Sequence, residues 1–382
     1  MRRQIGTPYL QVARPLPWPT LRTALGGGAL VAVIVPVVFA IRAAITSKNF
    51  SFLSQPTNWG MDFSVLPYSS SDPYWWAFVV GIGNTVLVGF LSIVLATFVG
   101  LFVGLARLSK NGLLADLGAV YVNTIRNVPV ILQAMFWYAV VLHLPPTRSS
   151  LDLFDTFYLS NRGLQMPSFV DAPAAAAMLG LTVVGFGAGL LASRPGPRLH
   201  RLIFVLVFVF AVATLAVVFS YHPAAATIEW ATRAGLGFNG GVGVPGEFVA
   251  LLVSITIYRS AFIAEIFRGG FNAISHEQID AARALNMPAW LTLLKIRLPL
   301  ALVSIVPGLG SECVTIMKIT SIGIVVGFMD LFAVSSNSTL LTGRAVEVLA
   351  TMVLCYVALN CSILLVAHAA NRRVQIPGTV DG

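Results

Sequence analysis

The chain has 382 residues, of which 57% are hydrophobic and only 10% charged, with a formal net charge of +9 and a mean hydropathy of +0.84. A water-soluble protein carries about 25% charged residues, so this chain has too few to build a solvated surface. A soluble enzyme, a nucleic-acid binder and a disordered protein are excluded, and the basic excess must be read by its position across a bilayer.

Crossing about 30 Å of hydrocarbon at about 1.5 Å per residue takes roughly 20 residues. Apolar stretches predict eight spans, near residues 23–41, 76–105, 122–143, 173–192, 202–220, 246–267, 298–326 and 346–369. The first run, Thr23 to Ile41, exceeds a usual signal core and meets Arg42 without a small-residue cleavage site, so it reads as a retained helix. Helices are the expected spanning form, because alternating strand patterns of about ten residues are missing. An even number of spans puts both termini on one side. If that side is the cytoplasm, the outer segments hold Arg42, Lys48, Arg148, Arg162, Arg233 and Arg344. Arg259 and Lys318 lie within spans, and the remaining sixteen of the 24 basic residues fall inside, as the positive-inside rule requires.

Gly100 and Gly104 in the second span form a G-x-x-x-G that suits close helix contact. Residues 145–172 read as a polar outer loop, 173–220 as two very apolar spans and 221–245 as a second outer loop, so the pair looks inserted. Gly235 to Gly240 fits G-x-G-x-x-G, yet with no strand before it the segment reads as a flexible linker rather than a dinucleotide site. A G-x-x-x-x-G-K-[ST] loop is missing, as is H-E-x-x-H. Cys313, Cys355 and Cys361 lie in apolar surroundings, and the five histidines are scattered. The chain is therefore expected to bind no metal and no cofactor of its own, and any ATP must be handled by a partner.

The segment from Arg268 to Arg297 is the most informative. Ser275 and Gln278 fit a capping box, Gln278 to Leu285 are strong helix formers, and Met287-Pro288 permits a turn into a second helix. Glu277 and Asp280 stand three apart near the positive N-terminal end of this short helix. Ala281, Ala282 and Ala284 leave it slim enough to enter a groove on another protein. Spacing alone leaves a solvated connector open as well.

Charges within spans form a second group. Arg259 and Glu265 in the sixth span, Glu312 and Lys318 in the seventh and Arg126 at the inner end of the third are costly in lipid unless they pair or face a polar cavity. A passage lined by them would offer Arg259 or Lys318 to an anionic group and Glu312 to a cationic one. Asn84, Gln133, Thr320 and Ser321 are candidate neutral partners. For Arg126, Glu265 and Arg268 a structural ion pair, or snorkelling near an interface, is the favoured reading. Glu312 and Lys318, six residues apart, are separated by about 240° around a helix, so each needs another partner.

The run QIDAARALN (residues 278–286), then Leu298-Pro299-Leu300-Ala301 and Pro307, resembles the "EAA" loop of ABC-importer permeases, whose usual form is close to GQ-x-EAA-x-x-LG followed by LP-x-A. GIGNTVLVGF at 81–90, GLARLSKN at 104–111, RNVPVILQAMFWY at 126–138, FIAEIFRGGFNAI at 262–274 and KITSI at 318–322 stand in the order of the polar amino acid permease family. NRGLQMP at 161–167, the extra helix pair and the added first span resemble the Q-type permeases of general L-amino acid importers. The resemblance covers roughly residues 75–370 and departs from the motif at Glu277, Asp280 and Asn286, where the family has Gly, Glu and Gly. Asp280 keeps the charge on a shorter arm, and Asn286 can still adopt a left-handed turn.

The resemblance implies an all-α integral membrane protein with a type I importer core of five helices. Residues 1–75 would hold the N-terminal cytoplasmic segment, the extra span and an outer loop. Residues 76–144 and 246–375 would form the core, 145–245 the insertion and 376–382 a cytoplasmic tail. It implies ABC ATPase subunits carrying ATP and Mg, a second permease subunit in a heterodimer, a periplasmic or extracellular solute-binding protein, and an amino-acid cargo. Glu277, Gln278, Asp280, Ala281, Ala282, Leu285 and Asn286 would couple to the ATPase. The implied location is the bacterial inner membrane. An ion-coupled carrier or channel using Glu312 and Lys318 as a proton relay is the alternative, though such folds often show inverted repeats and none is evident.

Overall fold

The computed structural model describes residues 49–154, 156–169, 227–235 and 237–374. The spans expected at 23–41, 173–192 and 202–220, and the tail at 376–382, lie outside the described residues.

Helix α1 (Tyr74–Arg107) starts behind Pro73 and runs 34 residues without a charge until Arg107. Helices α2 (Gly112–Asn127) and α3 (Val130–Leu142) follow. The single span expected over 122–143 is instead this pair, bent by 102°. Pro129 is the cause. Its ring disfavours the helical region for the residue before it, and Val128 is extended at φ −96°, ψ 124°.

The segments expected to be outer loops are not featureless. Strands β1 (Leu151–Leu153), β2 (Phe157–Ser160) and β3 (Gly163–Met166) form an antiparallel sheet closed by β8 (Val242–Pro245), in the order β1-β2-β3-β8. Tyr158 pairs with Gln165, and Leu164 with Val244. Strands β4 (Ser168–Phe169) and β5 (Ile228–Glu229) pair in a second ladder. Strands β6 (Thr232–Ala234) and β7 (Gly237–Asn239) form a hairpin. The segment expected to be a flexible linker is this hairpin and its exit. Gly235 at φ +57° and Gly240 at φ +70° supply the left-handed conformations that such turns demand.

Helix α4 (Gly246–Asn272) returns through the molecule and leads into the short α5 (His276–Ala284). Helix α6 (Ala289–Thr292) passes through a π turn at Leu293–Arg297 into α7 (Leu298–Ile319), and α8 (Gly323–Val326) follows one 3-10 turn later. Together, α6 to α8 make one apolar path of 38 residues, Ala289–Val326. Helix α9 (Leu331–Thr342) was not expected. Its mixed sequence LFAVSSNSTLLT is too short to span, but Leu331 and Val334 are fully buried against Tyr74, Ala77 and Phe78 of α1. Asp330 caps it, its Oδ1 accepting from the Ala333 N–H at 2.9 Å, and Gly343 ends it at φ +66°. Helix α10 (Ala345–Val374) closes the described chain, burying Val348 fully and packing Met352, Cys355 and Tyr356 against the cluster around Tyr74 and Leu331, with the rest of its length to Arg372 partly or fully exposed.

Four described paths are long and apolar enough to cross a membrane, or five if the bent α2–α3 pair makes one crossing. The core joins Val88 and Ala96 of α1 to Leu251, Ile255 and Ile263 of α4 and to Ile305 and Ile316 of α7. Helices α1 and α4 touch where the glycine pair predicts. A Cβ on Gly100 would stand 2.7 Å from Ile263 Cγ2, and one on Gly104 would stand 2.9 Å from the Ala264 carbonyl oxygen. Phenylalanines 90, 98 and 102 point away from that contact and are exposed, as a lipid-facing side requires.

Candidate functional site

At the end of the molecule where α1 and α4 finish, α5 stands out from the spans. The expected capping box does not form, because Ser275 takes the extended N-cap conformation but its side chain makes no capping hydrogen bond. The other end of α5 is built more fully. Asn286 sits at φ +54°, its N–H donates to the Arg283 carbonyl at 2.8 Å, and the Met287 N–H donates to the Ala282 carbonyl at 3.1 Å. This is the Schellman arrangement, closed by the residue type that takes a left-handed conformation most readily after glycine.

Glu277, Gln278, Asp280, Ala281 and Leu285 are exposed on α5. Ala282 is buried at 1% exposure, and Ile279 packs onto the main core, so these two hold α5 against the protein's own spans. Asp280 accepts from Arg283 at 3.0 Å. Leu285 and Trp290 are 76% and 64% exposed, which leaves two large apolar side chains flanking the turn. The sequence reading missed Trp290, although an aromatic residue beside a polar helix end was visible there.

Behind α5, Glu265 binds both Arg107 and Arg268. The Glu265–Arg268 pair lies within α4, at 2.8 Å, whereas Arg107 arrives from α1 and ties the two helices together. The structural role expected of Glu265 and Arg268 thus gains a partner that sequence spacing could not identify.

Deeper among the spans, Arg259 of α4 forms an ion pair with Glu312 of α7. The Arg259 guanidinium also lies 4.4 Å from the Phe262 ring centroid, and Arg126 lies 4.8 Å from the same centroid. Ring faces stabilise cations where water is scarce. Arg259 Nε is buried without a hydrogen-bond acceptor, as is the Thr256 hydroxyl one turn earlier on α4. Lys318 does not join this pair. It is exposed on α7 and lines a groove of about 390 Å³ against α10, with Ser311, Thr315, His368 and Asn371.

The neutral candidates are engaged with backbone groups. Asn84 is fully buried, accepts from the Val65 N–H at 3.0 Å, and donates to the carbonyls of Met329 at 2.7 Å and Phe63 at 3.2 Å. Gln133 donates to the carbonyls of Ile125 and Val128, both at 3.0 Å, and so satisfies the end of α2 across the bend. Its Oε1 is left without a partner. The hydroxyls of Thr320 and Ser321 donate to the Met317 and Lys318 carbonyls one turn back. The structure therefore brings Arg259 and Glu312 together, and leaves Asn84, Gln133, Thr320 and Ser321 each on backbone partners. Among the described residues there is no group of acids, cysteines and histidines able to hold a metal ion.

The family described as "binding-protein-dependent transport system inner membrane component" matches residues 96–376. The putative amino-acid ABC transporter permease protein YhdX of Escherichia coli K12 is 34% identical over 91% of this chain and 92% of its own length. The general L-amino acid transport system permease protein AapQ of Rhizobium johnstonii is 32% identical over 87% of this chain and 84% of its own. The glutamate/glutamine/aspartate/asparagine transport system permease protein BztB of Rhodobacter capsulatus is 29% identical over 86% of both. Nothing in these matches supports the ion-coupled alternative. With several apolar membrane paths, a projecting helix between α4 and α7, and a family match over most of its length, the chain belongs to the binding-protein-dependent transport system inner membrane components, as a non-enzymatic, multi-pass permease subunit of an ABC transporter.

Proposed function

We propose that this permease imports amino acids as half of a translocation pathway, driven by a separate ATPase that grips α5. The single observation that carries the coupling role is the exposed α5 set between two membrane paths, with Glu277, Gln278, Asp280 and Leu285 exposed and its base packed through Ala282 and Ile279. The relatives' names support the cargo class. ATP and Mg act on the partner, which holds the phosphate-binding loop that this chain lacks. A second permease subunit completes the passage, and a solute-binding protein delivers cargo from the outer side. Both termini then lie in the cytoplasm.

Within the passage, Arg259 and Glu312 offer one charge of each sign, and Lys318 a second cation on the α7–α10 face. Asp280→Lys tests the coupling directly. The variant should reach the membrane in normal amounts and leave the partner's ATPase running without uptake. Uptake at the native rate would refute docking through α5.

A further inference from the structure

The β1-β2-β3-β8 sheet borders an open cavity of about 320 Å³ lined by Asp62, Arg162, Ser160, Gln165 and Gly243. A second cavity of about 170 Å³ shares Asp62 and Pro245 with the first and continues past Glu247, Tyr138 and Phe328 at the start of α4. The two meet at Asp62 and Pro245, where the sheet joins the start of α4. Small-molecule sites start at about 300 Å³, so the outer cavity has room for a molecule the size of an amino acid.

Its charges are what single it out. Neither Arg162 nor Asp62 forms an ion pair among the described residues, whereas Arg233 nearby is paired with Asp152. A basic and an acidic residue thus line one space without pairing with each other. The inner cavity adds Glu247, whose Oε1 accepts from the Tyr138 hydroxyl at 2.9 Å, so its second oxygen remains for a cation. Glycine at 243 keeps the wall open, since a Cβ there would stand 2.9 Å from Gln165 Oε1.

We propose that the two cavities form an outer vestibule for a free zwitterionic amino acid, with its carboxylate on Arg162 and its ammonium on Asp62, before transfer past Glu247. This deepens the importer reading and rests on it. Because Arg162 and Asp62 are both exposed, their contacts are weakened by water, and binding in the range of about 1 mM suits a transfer point that must also release.

The test uses the assembled transporter in lipid nanodiscs without binding protein, titrated with L-glutamine and followed by ligand-observed NMR. The wild type should bind L-glutamine and reject N-acetyl-L-glutamine, which has no ammonium. Arg162→Ala and Asp62→Asn should each weaken binding about tenfold, and Arg162→Lys should restore most of it. Unchanged binding in both neutral variants, or none in the wild type, would overturn the vestibule. So would variants that raise the half-saturating concentration of binding protein while leaving L-glutamine binding intact, because the cavity would then be a protein-docking notch. Uptake by the wild-type assembly, measured in parallel, tests the importer reading separately.

Discussion

Arg259 and Glu312, on different helices and 53 residues apart, meet as a buried ion pair with side chains 7% and 14% exposed. Removing one member of such a pair leaves an uncompensated charge, at a cost of about 3–5 kcal/mol, whereas replacing both by apolar residues is often neutral. Glu312→Ala should therefore lower the thermal midpoint of the detergent-solubilised protein sharply, and Arg259→Met with Glu312→Leu should recover it. If the pair serves the passage, the recovered double variant will still fail to import. Full import by it would make the pair purely structural.

Gly104→Leu should separate α1 from α4. A Cβ alone already meets the Ala264 carbonyl oxygen and Phe267 Cβ at 2.9 Å, and forcing volume into a packed contact costs about 1–3 kcal/mol. Cysteine cross-linking between the two helices near Gly104 should fall, while the same substitution at the open Gly112 should leave it unchanged.

Asp330 gives a pH dependence with a fixed sign. Burial pushes its carboxyl from 3.8 up to about 7, against the pull of N–H groups from Ala333 and Phe332 and of the Tyr356 hydroxyl. The folded state thus holds a proton that the unfolded chain releases above about pH 4. This contribution to stability is complete at low pH and declines as pH rises toward 7. Asp330→Asn keeps the capping oxygen and removes the titration, so melting curves from pH 5 to 8 should slope downward for the wild type relative to this variant. Parallel slopes would contradict the assignment.

Asn286→Gly should tighten the turn after α5, and Asn286→Val should loosen it, since a β-branched residue at φ +54° is strained. Hydrogen exchange at Met287, whose N–H closes the turn, should slow in the first variant and quicken in the second. Identical rates in both would mean that the backbone conformation there is not set by residue type.

The long spans were legible because their signal is local: a run such as Tyr74–Arg107 announces itself by length and apolarity. The exposed face of α5 and the left-handed turn at Asn286 were legible for the same reason. The bend at Val128 was written in Pro129, yet an apolar count alone ran through it. Helix α9 and the outer sheet escaped because their stability comes from contacts distant in sequence, as when Leu331 packs on Tyr74 and Phe78 or Gly163 pairs with Pro245. Partner choice was the least legible. Helical geometry ruled out Glu312 with Lys318, but Arg259 could be identified as the partner only in three dimensions. Asn84 read as a polar group for cargo, whereas all its hydrogen bonds in the fold tie α1 to the chain before it and to Met329.

The double claim of Arg107 and Arg268 on Glu265 has a mechanical result. Helix α5 follows α4 after a three-residue turn, Ala273 to Ser275, and α4 is fastened to α1 by this carboxylate and by the flush contact at Gly100 and Gly104. If a partner ATPase grips α5 as proposed, a tug on the rod meets two fastened helices rather than one flexing helix, and α1 and α4 would swing together as a two-rail strut.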